Sequence, residues 1–148
     1  MYLFFDTETS GLPKTWKAPV SDLKNWPRLV QLAWILCDEK GNRITQDDFI
    51  LKPEGFKITK GAMEIHGIST ERAKAEGEDL KRILEKFNEL VSVSKYIVAH
   101  NIRFDENIIG AEFLRKKIET NFFEKNKLCT MLSSTNWFAP LLIGKDYG

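Results

Sequence analysis

Residues 1–13, MYLFFDTETSGLP, open the chain with an apolar run that ends in two carboxylates. Apolar side chains stand at both odd and even positions up to Phe5, which predicts a strand buried on both faces and central in its sheet. Asp6 and Glu8 follow where that strand ends. Alternate side chains of a strand share a face, so the two carboxylates point the same way with Cα atoms roughly 7 Å apart. Like charges so placed repel unless a cation lies between them, and an all-carboxylate set suits Mg²⁺ or Mn²⁺ rather than zinc. Alone, a D-x-E fits an exposed strand end with two solvated acids better.

Moving outward, Gly11, Pro13, Pro19 and Pro27 mark a loop. RLVQLAWILCDE (28–39) reads as a second strand, KGNR (40–43) as a hairpin turn, and ITQDDFILKP (44–53) as the returning strand. The acids inside that third strand suit an exposed face near the sheet edge. Thr59 is a candidate cap for a short helix in TKGAMEIHGIS (59–69), and Ser69 or Thr70 for another. Between Glu78 and Val93, the residues Leu80, Ile83, Leu84, Phe87, Leu90 and Val91 form one helical stripe. KYIVAH (95–100) then reads as a short strand parallel to the first, because a helix precedes it. FDENIIGAEFLRKKI (104–118) is the next helix, with Phe104, Ile108, Ala111, Leu114 and Ile118 expected on its inner side. A three-stranded antiparallel meander, a helical crossover, then a parallel strand and a helix predict a single α/β domain on a mixed sheet.

The composition bounds the function. The 148 residues carry a net charge of +1, so no overall basic field grips a long duplex, although a protein holding only a strand end is compatible with it. Two cysteines, Cys37 and Cys129, make no disulfide framework; Cys37 is expected to be a buried thiol, and a reduced, cytoplasmic setting is expected. No run is long enough to span a membrane. The basic run Arg115–Lys116–Lys117 fits a solvated helix face or a contact to phosphate. Trp34 belongs to a strand core, while Trp16 and Trp26 sit in the loop where they could border the active edge.

Asp105 comes just after the strand YIVA, at the start of a helix. If that strand lies beside the first, both carboxyl ends open on one sheet edge, where open α/β sheets place ligands, and Asp105 faces the Asp6/Glu8 pair. By itself an acid there equally suits the helix dipole. The two segments together are more specific. FDTETSGL (5–12) and AHNIRFD (99–105) closely resemble the first two motifs of the DEDD 3′–5′ exonucleases, the DnaQ-like proofreading group with a ribonuclease-H-like fold. PRLVQLAW and IHGIS also resemble segments of the branch that includes the epsilon subunit of DNA polymerase III.

The resemblance implies that Asp6, Glu8 and Asp105 hold two divalent cations, Mg²⁺ or Mn²⁺, for phosphodiester hydrolysis at a single-stranded 3′ end. It places Thr9, Gly11 and Leu12 against the terminal nucleotide, with glycine permitting close backbone approach and leucine acting as an apolar wedge. Asn101, Phe104 and His66 fall at positions lining the same pocket. Phe104 also fits a core role, Leu12 a locally packed loop, and His66 a helix-end histidine; for His100 a structural hydrogen bond is expected. A DNA polymerase is the partner the branch implies. The family's third motif supplies a His or Tyr base and a fourth carboxylate on a later helix. After Asp105 only Asp146 and the adjacent Tyr147 come near that description, so the chain is expected to be cut before the motif, and APLLIG (139–144) to lack a cover. Such a chain would bind Mn²⁺ weakly and trim slowly, and a module that binds ends or a partner without hydrolysis is the alternative.

Overall fold

Strict alternation along residues 2–9 sets the centre of the sheet. A computed structural model describes residues 1–134. Strand β1 (Tyr2–Thr9) pairs antiparallel with β2 (Leu29–Cys37), which pairs antiparallel with β3 (Arg43–Ile50). On its other side β1 takes β4 (Tyr96–Ala99) in parallel, and β4 takes β5 (Asn126–Cys129) in parallel, giving the order β3-β2-β1-β4-β5. The expected mixed sheet is present, with β3 at an edge. The fifth strand is an addition to the sequence reading: four residues, NKLC, are too few to display a period.

Helices α1 (Lys60–His66) and α2 (Thr70–Glu76) begin as their caps predict. Thr59 accepts from the Ala62 N–H, and Ser69 from the Arg72 N–H. Helix α3 (Leu80–Val93) is capped by Asp79 and buries Leu80, Ile83, Leu84, Phe87 and Val91, the expected stripe with Leu90 at its margin. It packs with α4 (Ile102–Lys116) on one face of the sheet. There Leu3 and Phe5 of β1 meet Leu32, Trp34 and Leu36 of β2, and Phe87 touches the rings of Phe5, Trp34, Phe113 and Phe122. Full burial of each such side chain stabilises the fold by about 1.5–3 kcal/mol.

Three expectations are corrected. First, β1 is not buried on both faces: Phe4 is 39% exposed and lies with Ile35, opposite it on β2, on a face that no described helix covers. Only the Leu3–Phe5–Thr7–Thr9 row is buried, so Asp6 and Glu8 share the open row with Phe4. Second, Leu114 is exposed while Phe113 is fully buried. The inner arc of α4 runs through Ile102, Asp105, Ile108, Ile109 and Glu112, and two of those five are acids. Of the expected inner residues, Ile108 and Ala111 are fully buried and Phe104 and Ile118 pack against the core, so Leu114 alone is misplaced. Gly110 on that helix is a close-approach position, since a Cβ there would lie 2.7 Å from Phe123 and 2.8 Å from Val20. Third, Cys37 is half-buried rather than buried; both thiols are free.

The run Arg115–Lys117 is neither a solvated face nor open to phosphate throughout, because Arg115 is turned inward and Lys116 pairs with Glu54. The APLLIG stretch, Asp146 and Tyr147 lie outside the described residues. Among the described residues no helix is long and apolar enough to cross a membrane.

Candidate active site

The carboxyl ends of β1 and β4 open on the same edge, and the chain leaves both abruptly. At the end of β1, Glu8 pairs with Gln31 but Thr9 pairs with Leu29, so Val30 is an extra residue and the ladder bulges beside the two acids. After the bulge, Ser10 and Arg28 hold the loop mouth: the Ser10 N–H donates to the Arg28 carbonyl, and the Arg28 N–H to the Ser10 Oγ at 2.9 Å. At the end of β4, Asn101 adopts φ 57° and ψ 48°, a left-handed pose uncommon outside glycine, and turns the chain directly into α4. Its side chain caps nothing and stays exposed.

That turn brings Asp105 to β1. Asp105 is only 3% exposed, and its Oδ1 accepts from both the Thr7 hydroxyl (2.6 Å) and the Thr7 N–H (3.1 Å). Thr7 lies between Asp6 and Glu8 in sequence but on the opposite, helix-covered face. Asp105 therefore reaches the pair from the α4 side by way of Thr7. Burial pushes its carboxyl up to about 6, the Asp6 charge adds to the rise, and the Thr7 hydrogen bonds oppose it. Glu8 is likewise raised, by burial first and then by Asp6. Among the described residues no three acids, thiols or imidazoles close into a metal-binding cluster. What the structure shows is Asp6 acting against the charge of two partly or fully buried acids, Glu8 on its own strand and Asp105 on α4.

Around this edge, Leu12 is 76% exposed, which removes the reading of a locally packed loop residue. The Gly11 carbonyl accepts from the Thr9 hydroxyl at 2.8 Å, and a Cβ at Gly11 would sit 3.4 Å from the Thr59 methyl. His66 ends α1 with its ring fixed: Nδ1 accepts from the Ile68 N–H (3.1 Å), which leaves Nε2 to donate to the Thr9 carbonyl (3.0 Å). It thus braces the strand end that carries Thr9. His100 meets the Thr130 hydroxyl at 3.1 Å, the structural bond expected of it. Phe104 is partly buried against the core and also meets exposed Trp16, ring centroids 5.6 Å apart. Trp26, by contrast, is buried and donates to the Pro19 carbonyl.

Two participants escaped the sequence reading. Thr7 was passed over as the spacer of D-x-E; its signal was a hydroxyl on the buried side of a central strand. Glu112, which no motif marks, is completely buried and organises the loop. It accepts from the Leu29 N–H (3.0 Å) and from Arg28 Nε (2.8 Å), and Arg115 lies 3.0 Å away. Arg115 in turn donates to the Leu23 and Trp26 carbonyls, tying the loop of residues 10–28 to α4. Burial works against the Arg28 charge, but Glu112 and Glu54 outweigh it and its ionisation is strengthened. For Arg115 burial prevails.

Comparison with known proteins agrees with this geometry. Residues 3–138 match the model of the RNase_T exonuclease family. The chain is 26% identical over 143 residues to the PolC-type DNA polymerase III of Pediococcus pentosaceus, covering 97% of this chain and 9% of the relative. It is 30% identical over 119 residues to the same enzyme of Streptococcus thermophilus, covering 80% and 7%. The chain therefore spans less than a tenth of these relatives. E. coli Exonuclease I in complex with a dT13 oligonucleotide superposes with a TM-score of 0.78 at 24% identity, over 99% of this chain and 31% of that one. A product-bound structure of exonuclease I gives the same score over 34% of its chain. That likeness establishes the ribonuclease-H-like fold. With both motifs inside the matched span, residues 3–138, the chain belongs to the exonuclease family, among the DnaQ-like DEDD members its sequence resembles.

Proposed function

We propose that the chain is a single exonuclease domain that removes nucleotides from single-stranded 3′ ends, of DNA in the first instance, using divalent cations held by Asp6, Glu8 and Asp105. The observation that carries this is Asp105: a nearly fully buried carboxylate with no cationic partner among the described residues, raised by burial and by Asp6 toward neutrality. Such a charge is costly unless paired or metal-bound, and an all-oxygen, mutually repelling set fits Mg²⁺ or Mn²⁺. When bound, a pair of cations would supply an activated water and charge stabilisation at the leaving oxygen. The chain's own residues do the rest. Thr7 orients Asp105 through two hydrogen bonds. Leu12 stands free to wedge under a terminal base, the Gly11 backbone and Thr9 to line the nucleotide, and Asn101 and Phe104 to meet its sugar. His66 holds the Thr9 carbonyl and so positions this wall rather than moving a proton. DNA is favoured because the relatives are DNA polymerases, and a polymerase is the partner this suggests; two free thiols suit a reducing cytoplasm.

The test uses a 5′-labelled single strand and the purified chain with Mn²⁺. The expected result is a ladder shortening from the 3′ end, abolished by Asp105→Asn, with Mn²⁺ binding by calorimetry lost in Asp6→Ala. The shortening is expected to be slow, because both histidines are engaged elsewhere and general-base help is typically worth 10²–10⁴-fold. Internal cuts, metal-independent products, or equal Mn²⁺ affinity in Asp6→Ala would overturn the assignment.

A further inference from the structure

Beside the carboxylate edge lies a second cleft of about 320 Å³, between the loop after β1 and the first turn of α4, bordered by Trp16, Lys17, Asn101, Arg103 and Phe104. Its most unusual member is Trp16, which is 54% exposed although it belongs to a loop that is otherwise firmly built. Buried Asn25 holds the preceding residue from both sides: its Oδ1 accepts from the Thr15 N–H (2.8 Å) and its Nδ2 donates to the Thr15 carbonyl (3.0 Å). The Lys14 N–H donates to the Asn25 carbonyl, and the Lys17 N–H to the Thr15 hydroxyl at 3.3 Å. One flank of the indole meets Phe104, the residue just before Asp105. Among the described residues Lys17 and Arg103, both exposed, have no carboxylate partner, whereas Arg28, Arg115, Lys116 and Lys127 all do.

A half-exposed indole lining one cleft with two cations that have no carboxylate partner among the described residues is the chemistry that takes a single-stranded nucleotide: the base stacks on the ring and the phosphates meet the cations. A core role leaves the exposure unexplained, and a solvated surface leaves the double clamp by Asn25 unexplained. We propose that the Trp16 cleft seats the nucleotide upstream of the 3′-terminal one, its base on Trp16 and its phosphates on Lys17 and Arg103. This rests on the end-trimming reading above, and it extends the grip of the site beyond the nucleotide being cut.

The experiment compares two probes on the full chain in Mn²⁺: dTMP, which can occupy only the terminal position, and a hydrolysis-resistant phosphorothioate (dT)₈. For Trp16→Ala, (dT)₈ affinity is expected to fall about 5- to 150-fold, the range of base stacking, with dTMP affinity unchanged and Trp16→Phe retaining most of the binding. Lys17→Ala and Arg103→Ala are each expected to flatten the dependence of log affinity on log salt by about 0.7, one phosphate contact's worth on a single strand. If Trp16→Ala binds (dT)₈ like the wild type, or loses dTMP equally, or if neither cation changes the salt slope, the upstream seat is refuted while the terminal site stands. If the wild type binds neither probe, the end-binding reading fails and this one with it.

Discussion

Two buried acids on α4 stand seven residues apart, on the same inward arc, and meet opposite fates. Glu112, with no exposed surface, is answered in full by two arginines and a backbone N–H. Asp105, with almost none, receives one oxygen's worth of hydrogen bonds from Thr7 and then another carboxylate as its neighbour. The helix geometry is shared, so the difference lies in what each acid faces. Glu112 faces the loop that must be fastened, and the chain supplies the counter-charge. Asp105 faces the sheet edge, where no described residue supplies a counter-charge. An uncompensated buried carboxylate costs stability, and function is the reason for a fold to retain one.

The contrast is most easily broken at Glu112. Glu112→Ala leaves Arg115 without its carboxylate and Arg28 with only the more exposed Glu54, and breaking a buried pair costs about 3–5 kcal/mol. Urea unfolding should show a loss of that size; a loss below about 1 kcal/mol would mean the cluster is solvated in solution. Asp105→Asn should act in the opposite direction, since asparagine keeps an acceptor for Thr7 and removes the charge. The sign follows from the raised carboxyl. Below its ordinary 3.8 it is protonated whether folded or not, so it contributes no penalty. Between about 4 and 6 only the unfolded chain releases the proton, and stability falls as pH rises. Above about 6 the penalty is complete. The variant should therefore gain up to about 3 kcal/mol over wild type at pH 7.5 in metal-free buffer, and nothing at pH 3.5. A variant that is no more stable at pH 7.5 would place Asp105 in a solvated setting.

The smallest effect sharpens the comparison. Thr7→Val removes the hydroxyl donor at 2.6 Å and keeps the backbone N–H, costing about 1 kcal/mol at pH 8. The Asp105 carboxyl, followed by carbon NMR, should then titrate above 6, because the lost bond had favoured its charged form. An unmoved titration would show that Thr7 does not support the carboxylate.

Much of this was legible in advance, for reasons that differ by residue. The caps at Thr59 and Ser69, the α3 stripe and the hairpin at Gly41 are local features, set by neighbours within a few positions, and a sequence displays them directly. Asp6, Glu8 and Asp105 were legible as motifs, and the strand period correctly put the first two on one face. The inner side of α4 was legible at Phe104, Ile108, Ala111 and Ile118, but its two buried acids were not, because their burial depends on Thr7, Arg28 and Leu29, all distant in the chain. Leu114 was expected inside and Phe113 overlooked. The strand β5 depends on β4 for its pairing and carries too little sequence to announce itself.

By itself the sequence determined the α/β order, the first three strands, the family and the carboxylates of its two motifs, because period and motif spacing are properties of the chain alone. Only the tertiary structure decided which of those carboxylates is left without a counter-charge, that Glu112 fastens the loop while Asp105 waits at the edge, and that Trp16 is held open beside it. Burial and electrostatic pairing are set by residues far apart in sequence, and they exist only once the sheet and α4 have met.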